Sequence, residues 1–357
     1  MVKRSLPAWG LMVLSPLVAE FLLGNLPITM LPALLVLAPF YGGAAVLIRE
    51  TARRRGLGWG RVLLLALAFA VVQEAFVTRS LFDPGYAGMA LSGQAWIPAL
   101  GISAWWAVFV LTIHAVWSVC VPIALAETLA SAPAGRWLSP VVAGVLFVLG
   151  AAGSALTTAT PYALSAPQIA GSAAVIAALV AAALIPLRPG GRRTGSPETA
   201  PDEGTGLPRS TPDEGRGRLT GSPRRSAPGG GVVFCASLGV TSAFWGLTMA
   251  LDVLGAAVTV AGYLVLVSAS LLVVRRWSRG GGWGPVQVFA PAAGAVLTYA
   301  WHSFVQPPAV PAPPAVDLLG NAIFTLAALV LLAAGWRRLR RERPARKGSS
   351  TCSRTTA

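Results

Sequence analysis

The feature that most constrains this chain is a series of long, almost uncharged apolar runs. A bilayer's hydrocarbon core is about 30 Å thick, and a helix needs about 20 consecutive apolar residues to cross it. Runs of that kind recur at 8–24, 29–49, 61–82, 104–130, 139–157, 168–187, 232–251, 257–275, 285–304 and 317–336. Each is continuous, without the two-residue alternation of a barrel strand. In lipid only a helix or a closed barrel satisfies every backbone polar group. The sequence therefore predicts an all-α polytopic transmembrane helix bundle of about ten spans. Composition agrees, because only 11% of the residues are charged and 55% are hydrophobic, whereas soluble domains carry about 25% charged residues.

The charge of +15 is distributed as a membrane protein distributes it. With both termini cytoplasmic, every lysine and arginine except Arg79 falls on the cytoplasmic side. That asymmetry is the usual signature of topology in an inner membrane. The basic clusters are expected to meet anionic lipid headgroups of the bilayer, and no nucleic-acid partner is implied. Lys3 and Arg4 before an apolar run resemble a signal peptide. There is no small-x-small cleavage site, and Glu20 interrupts the run, so it reads as an uncleaved first span.

One long loop, 188–230, is rich in Pro, Gly, Ser, Thr and Arg and nearly empty of large apolar residues. Such a segment cannot offset its ordering entropy by burial. It divides a six-helix part (1–187) from a four-helix part (231–336), and a basic tail (337–357) is expected to be disordered as well. Between spans, 83–103 is long enough to fold over the outer face. The proline-rich 306–316 should be an extended, polyproline-like strap.

Several chemistries are excluded. Cys120, Cys235 and Cys352 form no CxxC, which argues against a disulfide framework or a zinc site. The only histidines are His114 and His302, so HExxH is absent, and Lys3 and Lys347 leave no GxxxxGK phosphate loop. No cofactor or metal is expected.

An ionisable group in a span is expensive, about 2.5–3.5 kcal/mol at mid-bilayer on insertion scales. The candidates are Glu20, Glu74, Arg79, His114, Glu127, Asp252, His302 and Asp317. All but Glu127 fall in the outer half, and a bundle could gather them in one outward-facing cavity. Asp317, Asn321 and Thr325 share a helical face, as do Thr241, Trp245, Thr248 and Asp252. Pro122 cannot donate to the Ser118 carbonyl, which should leave that acceptor exposed near His114. Structural roles compete with functional ones. Asp317 can be an N-cap, and Asp252 can be solvated. Arg79 can snorkel to headgroups or pair with Glu74 or Asp83. His302 can lie at the interface, Glu127 can reach cytoplasmic water, and Glu74 with His114 can simply lock two helices together.

Gln73-Glu74 followed by Arg79, then Phe109 to His114, then His302, resembles the CPBP family of intramembrane glutamic proteases. That family carries Glu-Glu-x-x-x-Arg, then Phe-x-x-x-His, then a later histidine. Here the first glutamate is Gln73, and the spacings to Arg79 and His114 are each one residue longer. The resemblance implies Glu74 as general base with His114 and His302 as catalytic partners. Glu20, Arg79, Asp252, Asp317 and Asn321 would be supporting polar residues. A transporter using Glu20, Glu74 and His114 as a proton relay is the second expectation. A non-catalytic assembly or sensor component docking through the loop is the third.

Overall fold

The computed structural model describes residues 2–131, 133–158, 160–185, 226–279 and 281–342. The loop expected at 188–230 falls outside them up to residue 225, and so does the tail beyond residue 342. Among the described residues ten long helices follow one another: α1 (Ser5–Phe21), α2 (Ile28–Arg54), α3 (Trp59–Val77), α4 (Ala104–Leu129), α5 (Pro140–Thr157), α6 (Ala166–Leu184), α7 (Gly230–Met249), α8 (Ala256–Ser278), α9 (Pro285–His302) and α10 (Pro314–Arg341). Eight of them are long and apolar enough to cross a membrane. α1 is shorter, and α9 carries Gln287, Thr298, Tyr299 and His302. α9 tolerates that polarity because most of its residues face the bundle interior, not lipid. The chain is an all-α, multi-pass membrane bundle.

Two apolar cores meet on either side of α4. On one side, Trp117 stacks on Tyr299 at 4.8 Å between ring centroids, and Phe244 stacks on Tyr263 at 4.4 Å. The Trp117 Nε1–H donates to the Ala295 carbonyl at 2.9 Å. These contacts join α4 to α7, α8 and α9. On the other side, Phe40 of α2, Phe69 of α3 and Phe147 of α5 form an aromatic group at 5.5–6.2 Å. Two glycines permit close crossings there. A Cβ at Gly42 would lie 2.0 Å from the Met12 carbonyl oxygen, and one at Gly150 would lie 2.3 Å from the Phe40 nitrogen. Small residues at such crossings let helix backbones approach where lipid supplies no hydrophobic drive.

The helix ends rich in arginine share one face of the bundle, here called the basic end. Arg61 donates to the Ile185 carbonyl, and Arg338 donates to the Leu129 carbonyl at 3.1 Å. α10 therefore continues to Arg341, which corrects the expectation of a disordered tail from residue 337. Arginine is a good helix former and suits a helix C-terminus.

The arginines and glutamates near Arg49 are also not simple loop charges. Arg49 is fully buried and donates to Glu50 (2.5 Å), to Glu127 (3.1 Å), and to the Gly135 (2.7 Å) and Pro133 carbonyls. Its guanidinium lies 3.5 Å over the Trp137 ring. Arg53 makes a two-pronged pair with Glu127 at 2.6 and 2.7 Å. Glu127, expected to reach water, instead locks α2 to α4.

At the opposite end, 83–103 forms short 3-10 turns and a two-stranded hairpin that pairs Trp96–Ile97 (β1) with Ile102–Ser103 (β2). Leu91 from this loop is buried in the core. The strap before α10 is held where the Ala309 N–H donates to the Asn25 carbonyl at 2.9 Å.

Candidate functional site

Four of the helices contain a stretch of π-helix: Leu17–Phe21 in α1, Ala38–Gly42 in α2, Gln73–Val77 in α3 and His114–Cys120 in α4. A π-turn inserts one residue, frees carbonyls from the regular ladder and is frequent at functional sites. Each stretch here contributes a polar side chain to two runs of contacts that meet at the adjacent residues Gln73 and Glu74: Glu20, Tyr41 and Gln73, then Glu74 and His114 with Ser118.

From one end of the first run, Asn25 Nδ2 donates to Glu20 Oε2 at 2.6 Å, and the Tyr41 hydroxyl donates to Glu20 Oε1 at 2.5 Å. Gln73 Nε2 donates to the Tyr41 oxygen at 3.1 Å. Glu74, next in sequence, meets His114, with Nε2 2.7 Å from Oε1. Its other oxygen accepts from Thr78 at 3.0 Å and from the Ser80 hydroxyl. Ser80 accepts in turn from Trp106 Nε1 at 2.9 Å. On the far side of the ring, His114 Nδ1 lies 3.1 Å from Ser118 Oγ. With Nε2 donating to the carboxylate, Nδ1 accepts from that hydroxyl; an imidazolium would reverse the second bond. The Ser118 carbonyl, which Pro122 leaves without its helical donor, accepts from Ser15 Oγ at 2.5 Å.

Glu74 and His114 are both buried, with side-chain exposures of 3% and 10%. Tyr86, in the outer loop, stands over this group with its ring 5.8 Å from that of Trp106. Burial, and then the nearby charges of Glu74 and Glu20, push its phenol above the ordinary value. The site is thus capped on the side away from the basic end.

The other expected residues go elsewhere, so the single outward-facing cavity of the sequence reading divides. His302 is buried with its ring centroid 3.8 Å from that of Trp245, and Nδ1 has no partner among the described residues. It joins the aromatic core of Trp117, Tyr299 and Phe244, not the contact chain of Glu74 and His114. Asn321 Nδ2 donates to the Ser303 carbonyl at 2.9 Å, and Thr325 bonds the Ala300 carbonyl, so that stripe of α10 ties down the end of α9. Asp317 is not the N-cap, since α10 begins at Pro314 with Pro313 before it. Asp252 is exposed on the one-turn helix Leu251–Leu254. Arg79 does not pair with Glu74 or Asp83. It takes a left-handed conformation (φ 57°) just past α3, a position that usually favours glycine, and donates to the Tyr162 carbonyl at 2.7 Å.

Sequence reasoning placed Ser118 beside His114 through its carbonyl but missed Tyr41, Thr78 and Ser80. Thr78 at i+4 from Glu74 was available as a helical-face neighbour. Tyr41 carried no spacing signal.

A family model for an uncharacterized membrane protein family matches residues 11–350, nearly the whole chain. The chain belongs to that family, and the resemblance of its motif order to the glutamic proteases is unconfirmed. No curated protein and no solved structure matches the chain.

Proposed function

We propose that this family member is a proton-coupled membrane transporter, with Glu74 and His114 as the proton-carrying pair. The observation that carries the reading is the coincidence of four π-helical stretches with two hydrogen-bonded segments, Glu20–Tyr41–Gln73 and Glu74–His114–Ser118, that meet at the adjacent residues Gln73 and Glu74. A carboxylate and an imidazole in contact are the two side chains best suited to exchange a proton near neutral pH. An intramembrane ionisable pair of this kind is a recurrent element of proton relays.

The pair also sits where it can move a helix. His114 and Ser118 occupy one face of the α4 π-turn, while Val116 and Cys120 occupy another and line a large cavity. Adding a proton to Glu74 while His114 is an imidazolium weakens its hold on the ring, because a neutral carboxyl attracts an imidazolium less than a carboxylate does. The turn that holds the ring is then free to return toward α-helical register, which displaces the cavity wall. Coupling by this route needs no wire longer than one helical turn.

The reading is tested by stepping pH across a supported membrane of proteoliposomes and recording the transient current. Protons entering a pair inside the membrane field should give a current in the wild type. It should vanish in Glu74→Gln and fall strongly in His114→Ala, with folding monitored by thermal unfolding. A Glu74→Gln protein that folds and gives the wild-type current would refute the proposal.

A further inference from the structure

Between α3, α4, α7, α8 and α9, on the basic side of mid-bundle, lies a cavity of about 730 Å³. Its shape follows from how α8 is held. The first third of α8 is anchored through Thr259 and Tyr263, the latter stacked on Phe244. From Leu264 onward α8 has no buried residue, and its last turns stand away from α4 and α9. The space between is walled by apolar side chains such as Val116 and Cys120 of α4 and Leu271 of α8. Its one ionised lining residue is Arg275, exposed at the basic end and paired with no carboxylate among the described residues. Trp59 and Trp283 flank that end, as aromatic residues do at a membrane interface.

We propose that this cavity binds a single-chain anionic amphiphile, a long-chain carboxylate, with its tail against α4 and its head on Arg275. Apolar walls select the tail. A lone guanidinium at the mouth selects the head, since it matches a carboxylate with two parallel hydrogen bonds and repels cations. The volume falls in the range of about 300–1,000 Å³ that sites for one small molecule occupy. The cavity also shares the α4 π-turn with the Glu74–His114 pair, so its ligand is a fitting substrate for the transport proposed above. The substrate role rests on that reading; the binding site itself does not.

The test uses the full chain in phosphatidylcholine nanodiscs and a diazirine-bearing palmitate as probe, with labelled peptides mapped by mass spectrometry. Label should concentrate on the α4 segment around Val116–Cys120 and the α8 segment around Leu271, and unlabelled palmitate should compete it away. Arg275→Gln should reduce the labelling about tenfold, the factor that one charge-assisted hydrogen bond carries. Leu271→Trp, which fills the cavity from a helix face otherwise open to lipid, should abolish it. A diazirine-bearing hexadecanol should not reproduce the pattern. Equal labelling of the lipid-exposed faces of α5 and α10, or indifference to both substitutions, would overturn the site. Displacement of the probe by an equal amount of phosphatidylglycerol would overturn the single-chain assignment. Glu74→Gln separates the two ideas. It should retain the label, and if it also retains the pH-step current, the transport reading fails while the binding site stands.

Discussion

Arg49 offers the sharpest test of what holds the basic end together. Replacing it with methionine keeps an unbranched apolar stem of similar length and removes a cation that is fully buried. Lost are its bonds to Glu50, Glu127 and the Gly135 and Pro133 carbonyls, and its stacking over Trp137. Removing one partner of a buried ion pair costs about 3–5 kcal/mol. The lower end of that range is expected. Glu127 keeps both contacts to Arg53, and Glu50 keeps Arg54 at 3.2 Å and the Trp137 N–H at 3.1 Å. A loss of about 3 kcal/mol changes the unfolding constant roughly a hundredfold. Reversible unfolding by sodium dodecyl sulfate in mixed micelles, followed by tryptophan fluorescence, would read it. The double variant Arg49→Met with Glu50→Met leaves the Arg53–Glu127 pair intact and no buried carboxylate dependent on a half-exposed arginine. It should cost less than the sum of the two single changes, by about 1–3 kcal/mol. If Arg49→Met lies within about 1 kcal/mol of wild type, or the two changes simply add, the network is not the lock described here.

Gly42→Ala should destabilise the α1–α2 crossing by about 1–3 kcal/mol or more, since the added methyl meets the Met12 backbone, which cannot swing aside as a side chain would; the same unfolding assay reads it. Tyr86 gives a pH signature. Its folded-state phenol is raised above the ordinary 10.0, so its contribution is intact below about pH 10 and declines as pH rises toward the folded value. Tyr86→Phe should flatten that alkaline decline in thermal unfolding between pH 9 and 11, and an unchanged slope would count against a half-buried phenol above the site.

Helices were the most legible part of the chain, because a bilayer fixes the length and polarity a span requires. The depth of Glu74 and His114 also marked them, since a charge that far into an apolar run needs a partner, and each is the other's partner. His302 misled for the same reason it attracted notice. Sequence order cannot tell which face of α9 it occupies, and the face it occupies packs on Trp245. Arg49 was counted only as a cytoplasmic charge because counting charges at helix ends does not distinguish a guanidinium in water from one enclosed by Trp137 and two carbonyls. Tyr41 was not found because its placement depends on a π-turn. A π-turn arises from packing between helices and leaves no spacing pattern in one sequence.

Those π-turns make the polar chain sensitive to a kind of change that leaves composition untouched. Each is equivalent to one inserted residue, and an α-helix turns about 100° per residue. Deleting a single apolar residue from Gln73–Val77 or His114–Cys120 would leave a helix still long and apolar enough to span. It would also swing everything on one side of the deletion by about a quarter turn relative to the other. Glu74 and His114 would then face different neighbours inside a bundle that still assembles. Within this family, chain length inside four short stretches, and not residue identity alone, would separate members that keep the site from members that keep only the fold.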